Sequence, residues 1–78
     1  MQAFKISIHS FQEVRDFVSL ATVQPFRVFV GNDRNRVNGK SFMGMFSLDF
    51  SEPVQVLVDC KGDEFQQFRQ DAAKFAVE

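Results

Sequence analysis

The chain has 78 residues, a formal net charge of −1 and 45% hydrophobic residues, which predicts one globular domain over residues 1–78. A charge this close to zero gives no broad positive field, so we expect neither nucleic acid nor a membrane surface as a partner. The single cysteine excludes an internal disulfide framework, and no leader segment or membrane-spanning run follows Met1, so we expect a cytoplasmic protein.

The chain begins with a predicted strand followed by a helix. Phe4, Ile6 and Ile8 alternate with polar residues, which is typical of a half-buried strand. Ser10 and Glu13 match the Ser-x-x-Glu capping box that begins a helix. The following apolar residues have helical spacing and predict a buried stripe: Val14, Phe17, Val18 and Ala21.

The rest of the chain alternates short strands and helices. Strands are predicted over 26–30, 36–38 and 54–60, and helices over 41–48 and from 63 to the chain end. The predicted order β-α-β-β-α-β-α indicates an α+β, open-faced two-layer sandwich, with a four-stranded antiparallel sheet and three helices on one face. Eleven Phe residues, with no Trp or Tyr, predict a phenylalanine-packed core.

The segment 37–48, with the sequence VNGKSFMGMFSL, carries the strongest functional signal. A polar turn leads to Ser41, a residue type that favours helix starts because its hydroxyl caps free backbone N–H groups. Such a start also suits a phosphate. Four large apolar residues follow, too many for one face of a short helix: Phe42, Met43, Met45 and Phe46. We expect two of them to face the sheet and the others to reach the surface, which favours docking over catalysis.

This segment resembles the regulatory-serine segment of the HPr family, the small phosphocarriers of the bacterial sugar phosphotransferase system, usually V-N-x-K-S-I-M-G-V-M-S-L. The positions that agree are Val37, Asn38, Lys40, Ser41, Met43, Gly44, Ser47 and Leu48. The order of predicted elements also resembles that family. The resemblance implies an HPr-like fold and a Ser41 that is phosphorylated by a dedicated kinase, which reads the neighbouring apolar patch.

The resemblance does not extend to the family's catalytic end. HPr carries its phosphoryl group on a histidine at the start of the first helix, with an arginine two residues on and a proline directly after that arginine. Without a gap, Ser10 stands at the histidine position and Gln12 at the arginine position. A shift of one residue brings His9 to the histidine position, but Phe11 then stands where the arginine belongs.

These departures predict a non-catalytic regulatory or interaction protein, similar to the catabolite-repression HPr homologues, which lack the histidine and keep the serine. Implied partners are an HPr-type serine kinase, a transcription regulator or a phosphotransferase component. The chain itself is expected as a monomer or weak homodimer. The expected partner-binding residues are Ser10, Phe11, Gln12, Lys40, Ser41, Phe42, Met43, Met45 and Phe46. The alternative is a genuine phosphocarrier that accepts a phosphoryl group on His9 from the phosphoenolpyruvate-dependent enzyme I.

The sequence offers few other candidates for a catalytic or binding site. Cys60 stands alone without a second histidine or base, so we interpret it as a packing residue rather than a nucleophile. A basic edge is predicted around the second turn, formed by Arg27, Arg34, Arg36 and Lys40. It would either steer an acidic partner or protect an edge strand. With no metal-ligand spacing and no phosphate-binding loop, we expect no cofactor and no metal.

Overall fold

In the part of the chain that the structure describes, five strands form one antiparallel sheet, one strand more than the sequence predicts. The computed structural model describes residues 2–32 and 34–77. Its elements are β1 (Gln2–Ile6), α1 (Phe11–Thr22), β2 (Val28–Gly31), β3 (Arg36–Asn38), α2 (Phe42–Phe46), β4 (Val54–Val58), α3 (Gly62–Asp71) and β5 (Ala76–Val77). The strands lie in the order β3-β2-β4-β1-β5. The α+β class with three helices is therefore confirmed, and the count of four strands is wrong.

The extra strand arises because the last helix ends early. The helical spacing predicts a helix from residue 63 to the chain end, whereas α3 ends at Asp71. A turn then places Phe75 in the core, and its carbonyl oxygen accepts the Ser7 N–H at 2.8 Å. Burial of a Phe side chain stabilises by about 1.5–3 kcal/mol, more than the helix propensity of one residue. The last residues therefore leave the helix, and β5 pairs with the end of β1.

All three helices cover one face of the sheet. Alternate residues of the three central strands β1, β2 and β4 point into a single core: Phe4, Ile6, Val28, Val30, Val54, Val56 and Val58. The predicted stripe of α1 joins the same core, as do residues of α2 and α3. On the opposite face Lys5 is exposed, and Phe29 lies half-buried beside Leu57.

The core is packed by phenylalanine, as predicted. Phe68 is completely buried at its centre. Its ring meets Phe4, Phe17 and Phe26 in edge-to-face contacts, with centroid distances of 6.0, 6.2 and 5.6 Å. Such pairs add about 0.5–1.5 kcal/mol each beyond their buried area. Within residues 2–32 and 34–77, no helix combines the length and the apolar character that crossing a bilayer requires.

Candidate docking site

Ser41 caps helix α2 as predicted. Its backbone is extended, and its Oγ accepts the Gly44 N–H at 3.2 Å. Asn38 holds the preceding turn: its carbonyl oxygen accepts the Ser41 N–H at 3.0 Å, and its Oδ1 accepts the Lys40 N–H at 2.9 Å. The Ser41 side chain is consequently fixed at the start of α2, in a half-buried position.

Gly39 lets this turn approach the sheet closely. A Cβ atom at Gly39 would lie 2.8 Å from Val28 Cγ1 and 3.1 Å from Val30 Cγ2. The Gly39 N–H also donates to the Val28 carbonyl oxygen at 2.8 Å. Any larger residue would push the turn, and with it the start of α2, away from β2.

Only one of the four large apolar residues in α2 faces the core. Met45 is completely buried, whereas the exposed fractions of Phe42, Met43 and Phe46 are 42%, 82% and 46%. The expectation that two of the four face the sheet is therefore wrong. Since α2 has five residues, little more than one helical turn, a single position points at the sheet. Met45 is inaccessible to a partner and is removed from the expected partner-binding residues.

The exposed rings of the two helices form one aromatic surface, defined by Phe11, Phe42 and Phe46. Phe11 is 75% exposed at the first position of α1. Its ring lies edge-on to Phe46 at a centroid distance of 5.3 Å, and Phe46 stacks on Phe42 at 6.2 Å. The structure thus brings together the two helix starts that the sequence marks as partner-binding. Exposed apolar patches, when they are large and contiguous, mark interaction surfaces, so this surface is a candidate docking site.

An open groove of about 700 Å³ lies beside the aromatic surface. It is lined by Ile8, His9, Ser10, Phe11, Val14, Phe46, Leu48, Phe50 and Ser51. The residues after α2, Leu48, Phe50 and Ser51, are functional candidates that sequence reasoning missed. The sequence signal that could have found them is the pair of apolar residues on either side of Asp49. The segment is too short to show a helical or strand periodicity.

The polar side chains at one end of the groove already have partners within the chain. The Ser10 Oγ caps α1 by accepting the Glu13 N–H at 3.2 Å, which confirms that part of the predicted capping box. The Glu13 carboxylate accepts the N–H of His9 at 2.6 Å, one residue before the donor that a capping box uses. The His9 Nε2 lies 3.1 Å from the Ser7 Oγ.

The surroundings of His9 lack a cation for a phosphoryl group. No Lys or Arg is among the described residues that line the groove, whereas a phosphoryl group is stabilised by such charges. The Glu13 carboxylate, which is negatively charged, is held beside the His9 backbone. Gln12, which stands where the HPr pattern has arginine, donates its side-chain amide to Asp16 Oδ1 at 3.0 Å.

The Asp49 carboxylate remains ionised at the other end of the groove. Its Oδ1 accepts the Ser51 N–H at 2.9 Å. This backbone hydrogen bond, together with a second one from the Ser51 side chain, holds the pKa of Asp49 below its ordinary value of 3.8. A negative charge therefore lies on the exposed Asp49, which is hydrogen-bonded to the lining residue Ser51.

The remaining candidates lie away from the groove. Burial, and then the negative charges of Glu64 and Asp59, raises the pKa of the Cys60 thiol, so little thiolate forms at neutral pH. In the basic edge, the Lys40 Nζ donates to the Gln24 carbonyl oxygen at 2.8 Å. The three arginines of that edge are exposed: Arg27, Arg34 and Arg36.

A comparison with protein-family models and with curated proteins finds no match for this chain. The resemblance to HPr therefore stays a prediction from the sequence, made from segment 37–48 and the order of the predicted elements.

Proposed function

We propose that the protein is an HPr-like, non-catalytic regulatory domain that docks protein partners through the aromatic surface. The observation that carries this proposal is the contiguous exposure of Phe11, Phe42 and Phe46 at the starts of α1 and α2. Each of these rings contributes about 1.5–3 kcal/mol when fully buried. A partner that covers the surface would bury the remaining exposed fractions, 75% of Phe11, 42% of Phe42 and 46% of Phe46. The corresponding share of that free energy is a physical reason for a docking role.

Ser41 is the proposed control point of this surface. It directly precedes Phe42, and its half-buried hydroxyl lies at the start of the helix that presents two of the three rings. A phosphate there adds about two negative charges. Because charges are costly to desolvate, phosphorylation would weaken docking of an apolar partner and favour a partner with a complementary cation.

The partners implied by the resemblance are an HPr-type serine kinase, a transcription regulator of catabolite repression or a component of the phosphotransferase system. The HPr-like sandwich and the cytoplasmic setting of those partners belong to the same proposal. Its support is an antiparallel sheet with the helices on one face and the serine segment at the start of α2. The fifth strand departs from the four-stranded sheet that the resemblance implies.

A kinase assay tests this proposal. The folded protein is incubated with an HPr-type serine kinase and labelled ATP, alongside Ser41→Ala, Phe42→Ala and Met43→Ala. We expect acid-stable label on Ser41 of the wild type and none in Ser41→Ala. Loss of an apolar contact worth about 1.4 kcal/mol should slow labelling of Phe42→Ala about tenfold. Val23→Ala is the matched control, because Val23 is also exposed but lies at the far end of α1. An unlabelled wild type would contradict the proposal.

The second candidate function is phosphoryl transfer through His9. The observation that favours it is the position of His9, which is exposed and lines the groove directly before the cap of α1. The absence of a cation among the described groove residues argues against it. Acid-labile label on His9 after incubation with enzyme I and phosphoenolpyruvate would establish it.

A further inference from the structure

The chemistry of the groove indicates which kind of partner segment fits it. We infer that the groove takes an amphipathic α-helix of a partner protein, with apolar residues on one face and basic residues on its flanks. This inference rests on the proposed docking role of the aromatic surface, and it specifies the partner by backbone conformation and by charge.

The hydrogen-bonding state of the groove favours a helical occupant. Its polar side chains already bond within the chain: Ser10 caps α1, His9 contacts Ser7, and Ser51 bonds to Asp49. The remaining lining side chains are apolar. An occupant with an extended backbone would bury N–H and C=O groups there without partners, which is unfavourable. A helix satisfies these groups internally and needs only the apolar wall.

Extended segments also lack a place to attach. At the end of β1 that leads into the groove, Lys5 and Ile6 pair with β4 on one side and with β5 on the other, so no strand edge is free there for addition of a peptide strand. Polyproline segments dock in aromatic-lined grooves, where Tyr and Trp can also donate hydrogen bonds. This chain contains no Tyr and no Trp.

The negative charges beside the groove favour basic residues on the flanks of the partner helix. Two carboxylates accept hydrogen bonds from the backbone of lining residues, Glu13 from the His9 N–H and Asp49 from the Ser51 N–H. A third carboxylate, Glu52, directly follows Ser51 in the sequence. Arg15, beside Val14, is the one guanidinium next to a lining residue. The balance is negative, and the low pKa of Asp49 keeps its charge over the neutral range. Complementary Lys or Arg residues on the partner helix would raise both association rate and specificity.

Two other occupants fit this chemistry less well. A second copy of the chain would have to offer a free amphipathic helix, but α1 and α3 bury their apolar stripes in the core. A membrane surface rich in anionic lipid would be repelled by the carboxylates. Both remain measurable outcomes of the experiment below.

The experiment titrates the ¹⁵N-labelled full chain with stapled helical peptides of about four turns, since unstapled helices this short are marginal in water. One peptide has Leu at the i, i+3, i+4 and i+7 positions and Lys elsewhere. Its first control replaces every Lys by Glu, and its second scrambles the Leu–Lys sequence to remove the helical period. Backbone amide shifts report the site, and fluorescence anisotropy reports affinity.

We expect the Leu–Lys helix to bind with shift changes at Phe11, Phe46 and Leu48, and to bind more tightly than either control. Phe11→Ala and Phe46→Ala should each weaken binding roughly tenfold, while Val23→Ala leaves it unchanged. The double variant Asp49→Asn and Glu52→Gln should weaken binding about threefold and flatten its salt dependence.

If the Leu–Glu helix binds at the groove as tightly as the Leu–Lys helix or more tightly, the inference of basic flanks is wrong. The proposed docking role of the aromatic surface would not be contradicted by that result. Tight binding of the scrambled peptide would contradict the inference that the partner segment is an amphipathic helix. Binding of none of the peptides also overturns the inference, while the Ser41 kinase assay separately decides the proposed function. Stronger binding to phosphatidylserine vesicles, or concentration-dependent shifts at Phe46 without peptide, would assign the groove to lipid or to a second copy.

Discussion

Met43 and Met45 are two residues apart in α2, and their surroundings are opposite. Met45 is completely buried in the core, and Met43 is 82% exposed. Met45→Ala should lower the free energy of unfolding by about 2–4 kcal/mol, because it leaves a cavity under the sheet-facing side of α2. Met43→Ala is the matched control in the same helix and should change it by less than about 0.5 kcal/mol.

Urea denaturation followed by far-ultraviolet circular dichroism measures both variants. Equal destabilisation of the two would contradict the orientation of α2. A stable Met45→Ala paired with a destabilised Met43→Ala would mean that the helix is rotated, with the aromatic surface turned towards the core.

The Asp49 carboxyl gives a prediction on pH. Its hydrogen bonds from Ser51 hold its pKa in the folded protein below the ordinary 3.8. A depressed carboxyl pKa contributes stability that is present above the unfolded value and is lost as the pH falls through the folded value. Ser51→Ala removes the side-chain hydrogen bond and keeps the backbone one, so the pKa should rise part of the way towards 3.8.

Carboxyl ¹³C chemical shifts followed from pH 7 to acid check this prediction. A wild-type Asp49 that titrates at or above its ordinary value would show that the Ser51 hydrogen bonds are absent in solution.

At the scale of elements, the cap of α2 connects stability to the proposed switch. The Ser41 Oγ accepts the Gly44 N–H, so Ser41→Ala should destabilise the protein by about 1 kcal/mol. Ser41→Asp should retain most of that stability, because Asp is as good a cap as Ser, while it adds a negative charge beside Phe42. Exchange of the Gly44 amide hydrogen should quicken in Ser41→Ala and stay slow in Ser41→Asp. Equal exchange in all three proteins would contradict the capping role.

The elements that the sequence predicts well are those whose periodicity is local. Ser10 begins α1 and the predicted stripe is buried, because capping and helical spacing act within a few residues. The strand around residues 36–38 is found where it is expected. By contrast, β5 depends on pairing with β1 across the whole chain, and no local pattern carries that information.

The candidate site shows the same division. Ser41, Phe42 and Phe11 are visible in the sequence because a specific segment and two helix starts mark them. The orientation of Met45 follows from how α2 packs on the core, and the wall formed by Leu48 and Phe50 follows from how the next loop folds beside α1. Both depend on tertiary contacts, which the sequence pattern does not encode.

For the molecule as a whole, the buried and exposed phenylalanines have separate roles. One set, with Phe68 at its centre, packs the core under the helices. Another set, the aromatic surface, lies outside that core and is partly open to water. The buried set stabilises the two-layer sandwich, and the aromatic surface is the proposed binding surface for a partner. We therefore propose that this fold serves recognition, without phosphoryl transfer through His9.

The measurement that tests this assignment most directly is phosphoryl transfer from phosphoenolpyruvate. The folded chain is incubated with enzyme I and labelled phosphoenolpyruvate, with an HPr phosphocarrier as the positive control and His9→Ala as the negative control. We predict no label on the wild type, because the described groove residues around His9 include no Lys or Arg. Acid-labile label on the wild type that disappears in His9→Ala would contradict it.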